Sequence, residues 1–429
     1  MEAQVLLDKY FETAFSAPDG VKKLRELILS LAMQGKLVPQ DPSDQPASEL
    51  LKEIEAEKEK LIQEGKIKKS KPLPENTSDE IPYDLPESWE WVKLDDISIK
   101  IHYGYTASAN HSLKNIRLLR ITDIQDNKVN WDSVPGCDIK EKDIEQYILS
   151  NNDILIARTG GTVGKTYLVN NINVKSVFAS YLIRVVPSAH LFVTCLKFFL
   201  ESPLYWKQLY EKCSGTGQPN VNGTSLSSLL LPLPPLGEQR RIVEKINRLM
   251  EQCDRLEKLR EEHHQKRLII HTAARDRLLN AIDQNSLNQS WNFIQNNFGE
   301  LYSVKENVSE LRKIILQLAV MGKLVPQDPN DTPASELVKE IEAEKQRLIK
   351  EGKIKKQKPL PEIKFNEIPY KIPENWKWVK TESICEIIVD CPHSTPKFIE
   401  NGIICIDTNS LKKVIFYFIN YVMFQKKLT

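Results

Sequence analysis

The sequence predicts a mixed α/β (α+β) domain joined to long, antiparallel, coiled-coil-like helices, in a chain that carries an internal duplication. Three observations lead there. GKLVPQDPSDQPASELLKEIEAEKEKLIQEGKIKKSKPLPE (Gly35 to Glu75) recurs as GKLVPQDPNDTPASELVKEIEAEKQRLIKEGKIKKQKPLPE (Gly322 to Glu362), at a constant offset of 287 and with 34 of 41 positions identical. From about Trp89 to Leu231, short runs alternate apolar and polar residues, the period-2 signature of half-buried strands. From Gly237 to about Asp283, apolar residues recur at helical spacing over one long stretch.

Each repeat copy opens on a helical stretch, LRELILSLAMQGK or LRKIILQLAVMGK, with apolar residues three and four apart. Val-Pro-Gln-Asp-Pro interrupts it. A second helix follows, with Ser48 or Ser335 as the expected N-cap and Glu-to-Lys pairs four apart. Gly65 or Gly352 closes that helix. A lysine- and proline-rich connector, read as a solvated linker, leads to Trp89-x-Trp91 or Trp376-x-Trp378. Matching extends from Leu24/Leu311 to Ile97/Ile384, so one large module is used twice; short solenoid repeats recur many times at much shorter periods.

In the middle segment, NIRLLRITDI, DILIA, KTYLV and SYLIRVV read as strands and VTCLKFFLESPLYWKQL as a helix. Prolines up to Pro235 mark the entry to the long helix. Its expected seam is Ile242, Ile246, Leu249, Cys253, Leu256, His263 and Ile270, interrupted by Arg260 and Arg267, which suits a two-helix antiparallel pair. At 1.5 Å per residue such a helix spans ~70 Å, the length of a spacer.

The composition, 41% hydrophobic and 27% charged with a net charge of +1, is that of a globular protein without a whole-chain field for nucleic acid. Seven cysteines form no C-x-x-C pair, which reads as reduced thiols in a cytoplasm. The N-terminus lacks a cationic start and a cleavage site, and no apolar run approaches the ~18 residues of a membrane span. The expected location is cytoplasmic, with no membrane partner.

DILIARTGGTVGKT (Asp153 to Thr166) imitates a phosphate-binding loop, and a P-loop-like nucleotide-binding protein is the minor alternative. The pattern G-x-x-x-x-G-K-[ST] needs a glycine where Thr159 stands, and its lysine must enter a helix. Lys165-Thr166 runs instead into the β-rich YLVNNINVKSV. The stretch therefore reads as strand, glycine-rich loop, strand. No Asn/Asp-Pro-Pro-aromatic motif, glycine-rich methyl-donor motif or Gly-x-Ser-x-Gly is present. His263, His264 and His271 share a charged helix with Cys253 and have no second ligand cluster to face. The chain is read as non-catalytic, with no metal and no cofactor of its own.

Taken together, the duplicated GKLVPQDP…PASELL…EKEKLI…GKIKK…PLPE blocks, the tryptophan-led variable segment, and PLPPLGEQRRIVEKI after GTGQPNVNGTSL resemble the specificity subunit of type I restriction-modification enzymes. The resemblance reaches to about Ser410. It implies a target-recognition domain that reads half of a bipartite site in double-stranded DNA. It also implies that methyltransferase subunits and restriction subunits supply adenine methylation and ATP-dependent cleavage. The domains expected are a helical region (1–88), a first recognition domain (89–231), a spacer helix (232–285), a linker (286–305), the second helical copy (306–375) and a second recognition domain (376–429).

Residues 89–231 hold 15 Lys/Arg and 13 Asp/Glu, so the reader is weakly cationic and partner subunits should supply much of the grip on phosphates. Polar and cationic loop residues beside strands are the candidates for base contact: Tyr103, Tyr105, Arg117, Arg120, Arg158, Thr159, Thr162, Lys165 and Ser180, with Gly160 and Gly161 allowing close backbone approach. Gly215 to Asn222 is read as a docking loop.

One departure from the family pattern stands out. Only 54 residues remain from Trp376, ending in VIFYFINYVMFQKKLT, and a frameshift or early stop is expected near Leu411 to Lys413. The central pair of helices, Gly237–Asp283 with about Glu306–Gly352, is kept, while the first copy lacks a covering helix. The expected outcomes are self-association of half-subunits that read a symmetric site, a recognition half borrowed from another gene, or an inactive truncated scaffold that assembles without reading DNA.

Overall fold

The computed structural model describes residues 17, 19–69, 73–74, 81–113, 115–213, 219–356 and 358–389, and short strands between 398 and 424. It divides into two compact units, 1–264 and 265–429.

In the first unit the repeat supplies α1 (Gly20–Met33) and α2 (Ala47–Gln63). There follow β1 (Glu90–Lys93), β2 (Ser98–Tyr103), β3 (Arg117–Leu119), the hairpin of β4 (Ile124–Gln125) and β5 (Lys128–Val129), α3 (Glu141–Tyr147), β6 (Ile154–Ala157) and β7 (Thr166–Leu168). Next come β8 (Ser176–Phe178), β9 (Leu182–Pro187), α4 (Val193–Phe199), α5 (Pro203–Lys212), α6 (Gly223–Ser227) and β10 (Leu230–Leu233).

An antiparallel sheet ordered β2-β9-β6-β7 forms the middle of this unit. Strand alternation gives it two apolar faces. Ile154, Ile156, Ile183 and Val185 pack with α1, α2, α4 and α5, while Leu155, Ala157, Tyr167 and Leu182 pack with Leu119, Val134 and Phe178 on the other side. The single helix expected over VTCLKFFLESPLYWKQL is two helices. Pro203 cannot continue α4, and Ser202 accepts a cap bond from the Tyr205 amide. Ser48 and Ser335 are likewise not N-caps: the helices start at Ala47 and Ala334, whose amides are satisfied by the carbonyls of Ser88 and Asn375. A tertiary acceptor has replaced the side-chain cap.

The long helix α7 (Leu236–Leu279) has 44 residues. Ile242, Ile246 and Cys253 are buried as expected, but Leu256, His263 and Ile270 are exposed, and burial resumes at His271, Ala274 and Leu278. A straight helix drifts about 20° per heptad from a strict seven-residue repeat, so the heptad seam loses its face. The buried positions keep the helix's own period of about 3.6.

In the second unit, α7 ends against α8 (Gln284–Asn296), α9 (Phe298–Leu301) and the repeat's α10 (Lys305–Val320), through Ala274, Leu278, Ile294, Ile314 and Leu318. Lys323 Nζ donates to the carbonyls of Leu279 and Ala281, capping the helix end, and Arg267 pairs with Glu300. The repeat continues with α11 (Ala334–Lys350) and α12 (Thr381–Ile384). Beyond these, β11 (Phe398–Ile399), β12 (Ile403–Cys405), β13 (Leu411–Lys412), β14 (Ile415–Phe416) and β15 (Val422–Phe424) form two small antiparallel sheets. The rest of the aromatic tail, with Lys413 of the expected frame break, lies outside the described residues.

Two buried polar features set tests of this core. Arg184 meets Asp153 at 2.6 Å with both side chains nearly sealed, and it also donates to the Ile148 carbonyl. Asp153→Ala leaves that guanidinium buried and unpaired and should cost about 3–5 kcal/mol in denaturant unfolding; the double change to Leu and Met should cost less. His102 lies against Phe178 and Tyr147, and burial, reinforced by Lys100 and Arg184, lowers its pKa from 6.5 to about 4. The unfolded chain then binds the extra proton, so stability falls as pH drops from 6.5 through 4. In unfolding curves across that range, His102→Phe should remove this part of the slope.

Candidate nucleic-acid interface

The stretch that imitates a phosphate loop is a hairpin. β6 and β7 pair antiparallel from Ile154↔Leu168 to Ile156↔Thr166, and a 3-10 turn over Gly160–Thr162 joins them. Gly164, with φ +83°, lies under α5: a Cβ there would come within 2.1 Å of Leu209 and 2.8 Å of Trp206. Its role is packing, and the amide of Lys165 turns back to the Thr162 carbonyl without entering a helix.

Around this hairpin turn, three other segments converge. The Arg158 amide donates to the Tyr181 carbonyl in the β8–β9 turn, and the Val221 amide donates to the Arg158 carbonyl. Thr159 bridges Asn220, and the Gly160 amide donates to the Pro219 carbonyl. From the end of β2, Tyr103 Oη accepts from the Gly223 amide at 2.9 Å. The Arg158 guanidinium rests over the Tyr103 ring, 4.6 Å from its centroid, and its Nε reaches Asn220 Oδ1 at 3.5 Å. Asn222 accepts from the Ser225 amide and caps α6. The loop read as a docking element thus docks on the hairpin over residues 219–223; Gly215 lies outside the described residues.

The candidate residues divide by what holds them. Tyr103, Arg158, Thr159 and Gly160 come together, with exposed Gly161 at the tip and Ser180 beside Tyr181. Thr162 and Lys165 line a groove of about 470 Å³ with Gln125, Asn127, Glu201 and Trp206. Lys165 is exposed. Tyr105 is engaged elsewhere: its amide bonds the Phe178 carbonyl and its ring lies 5.3 Å from Tyr147. Arg117 donates to the Val134 carbonyl, and its Nε is buried. Arg120 grips Asp123 through two nitrogens, at 2.9 and 2.7 Å, and that partner raises its pKa. Neither of these arginines can reach outward without breaking a half-buried contact.

Tyr181 and Asn220 belong to the cluster and were not singled out from sequence. Tyr181 is exposed, and burial of its hydroxyl region raises its pKa, with Arg120 pulling the other way. The sequence signal for it was slight: an aromatic between two strands. Chemically, the cluster offers two exposed aromatic side chains, a guanidinium held by a cation–π contact worth roughly 0.5–1 kcal/mol and a long hydrogen bond to Asn220, and amide and hydroxyl groups on a glycine-rich tip. That set can stack on bases and donate or accept at their edges. Among the described residues no group of His, Cys, Asp and Glu is placed to hold a metal, and no helix is long and apolar enough to cross a membrane.

Comparison with known proteins bears on this region directly. Residues 86–263 match the family model described as type I restriction modification DNA specificity domain. The type I restriction enzyme EcoAI specificity subunit of Escherichia coli is 39% identical over 382 residues, covering 85% of this chain and 62% of that protein. The EcoEI specificity subunit, also of Escherichia coli, is 38% identical over 374 residues with the same coverage. The chain spans about three fifths of the length of these curated relatives. A crystal structure of the HsdS subunit from Thermoanaerobacter tengcongensis aligns at 21% identity over 56% of this chain and 51% of that one, with a TM-score of 0.33.

The hairpin geometry yields a test. Gly164→Ala forces a Cβ into Leu209 at a positive φ and should cost at least 1–3 kcal/mol of stability. Lys165→Ala should leave stability within about 0.5 kcal/mol. Neither change should alter retention on immobilised ATP, since no phosphate cradle exists there to lose.

Proposed function

We propose that this chain is the sequence-reading subunit of a type I restriction-modification enzyme, because residues 86–263 match the model of that family's DNA specificity domain. It reads half of a bipartite site in double-stranded DNA through the Tyr103–Arg158–Asn220 cluster, and it works in the cytoplasm without a cofactor of its own. Methyltransferase and restriction subunits, assembled on its helical regions, carry the catalysis. The observation that carries this reading is the convergence of three other chain segments on one glycine-tipped hairpin inside the matched domain. Arg158 rests there against the Tyr103 ring and Asn220, a placement that fits bidentate contact to a guanine edge.

The reader's weak charge, 15 Lys/Arg against 13 Asp/Glu over 89–231, supports a division of labour in which partners grip the backbone and this domain supplies discrimination. The experiment is methylome mapping: express the chain with its methyltransferase subunits and sequence methylated adenines directly. A discrete bipartite motif is expected. Arg158→Ala should relax the motif at one position, by about 1–3 kcal/mol of discrimination, while the subunits still assemble. Assembly without any motif would leave the chain as a scaffold that does not read DNA.

A further inference from the structure

After its second helix, each copy of the duplicated module makes the same basic turn. Gly65 (φ +71°) follows α2 and Gly352 (φ +72°) follows α11, and nothing lies within 4 Å of where a Cβ would stand, so each glycine serves the left-handed backbone alone. The amides of Lys66 and Lys353 return to the carbonyls of Leu61 and Leu348, both at 2.9 Å. Ile67 and Ile354 are half-buried, while Lys66, Lys68, Lys69, Lys353, Lys355 and Lys356 are exposed. The Lys-Ile-Lys-Lys run is thus an ordered turn, built twice, with its isoleucine half-covered and its cations in solvent. In the first copy the flanking chain is fastened to the reader: Lys58 Nζ donates to the Asp95 carbonyl at 2.8 Å, and Lys93 Nζ donates to the Pro74 carbonyl.

The fold itself makes little use of these charges. Lys66 pairs with Glu64 at 2.7 Å and Lys353 with Glu351 at 2.8 Å, but Lys68, Lys69, Lys355 and Lys356 meet no carboxylate among the described residues. A helix C-terminus favours cations only within its last turn, which accounts for Lys60 and Arg347 and not for lysines three and four residues beyond the glycine. Residues 60–71 hold five lysines and one glutamate, and 347–358 hold six Lys/Arg and one glutamate, in a chain whose net charge is +1. Seven of the 41 repeat positions differ between the copies, and none of the differences removes a cation: Glu59, Lys60 and Gln63 stand against Gln346, Arg347 and Lys350.

We propose that the two Lys-Ile-Lys-Lys turns grip the phosphate backbone of duplex DNA. A duplex carries one negative charge per about 1.7 Å of its axis, so closely spaced ammonium groups on one short turn find phosphates in any register. Lysine brings point charges without the planar fork that reads a base edge, so these contacts hold the duplex and leave discrimination to the reader. With only 15 Lys/Arg against 13 Asp/Glu, residues 89–231 need such help, and the turns place part of it on this chain, outside that segment. The inference rests on the reading of the chain as a DNA-binding subunit, but on a different surface.

The test uses the full-length chain assembled with its methyltransferase subunits, and measures binding to a duplex carrying the mapped motif and to a scrambled duplex across a salt titration. Lys68→Gln, Lys69→Gln, Lys355→Gln and Lys356→Gln combined should weaken both duplexes by the same factor, about tenfold or more at low salt. The plot of log K against log salt should flatten by about 0.9 for each lysine that meets a phosphate, with the ratio between the duplexes unchanged. All four positions are exposed, so circular dichroism should not change. Lys52→Gln with Lys339→Gln, which removes exposed lysines held by Glu49 and Glu336 on the same helices, should leave the slope as it was. An unchanged slope in the fourfold variant overturns the proposal, even where the complex still discriminates the motif. Equal flattening per lysine in the Lys52 and Lys339 control overturns it too, since any surface charge would then serve. So does loss of co-elution with the methyltransferase subunits, which would give the lysines an acidic protein surface as their partner. Equal binding of both duplexes by the unaltered complex would count against base reading, while the slope still decides this proposal.

Discussion

The first unit depends on one buried carboxylate. Glu238 stands in the first turn of α7, where burial pushes its pKa up and the Trp89 and Gln40 donors pull it back. The helix start favours a negative charge at that place, and both oxygens are satisfied. Through this one side chain the repeat helices, the entry to β1 and the exit into the long helix are fixed to each other. Residues 40, 89 and 238 are far apart in sequence, so the contact closes the domain on itself: β1 and β10, the entry and the exit, become neighbours. A sheet so clamped presents its far loops, including the Gly160 turn, from a fixed base.

The duplication shows what local sequence decides and what it leaves open. Thirty-four identities in 41 positions reproduce helices, glycine turns and tryptophan packing in both copies, and these were legible from the sequence alone. Burial was not. Ile314 and Leu318 of the second copy are buried against the end of α7, while Leu27, the counterpart of Ile314, is exposed. An amphipathic helix with apolar residues on most of its circumference can bury either side, and the partner decides which. The expectation that the first copy would lie uncovered was half of the picture: its Leu29–Trp89 face is sealed by the recognition domain, and its Leu27 side is open.

The candidate site was legible in outline. The strand–glycine loop–strand reading of 153–168 follows from one missing glycine and a β-rich continuation, and the hairpin has that form. Individual side chains were harder, because a residue's type does not disclose its partner. The ion pair of Arg120 was open to view in the sequence, since Asp123 stands three residues on in a tight turn. The hydrogen bond of Arg117 was hidden, because its acceptor is the backbone carbonyl of Val134. Asn220 joins the site through long-range bridging to Thr159 and a side-chain contact with Arg158, which no local pattern encodes. The long helix misled in a different way: three- and four-residue spacing suggested a supercoiled seam, whereas the buried positions follow a straight helix.

Loop cluster, the match to a specificity domain and weak net charge together support the proposal that the Gly160 hairpin meets bases. Hydrogen exchange of the chain assembled with its methyltransferase subunits, with and without the duplex identified by methylation mapping, tests that claim most directly. Protection confined in the recognition domain to peptides covering 103–105, 158–165, 180–181 and 219–223 is the predicted result. Protection elsewhere in 89–231, with these segments exchanging as before, would contradict it.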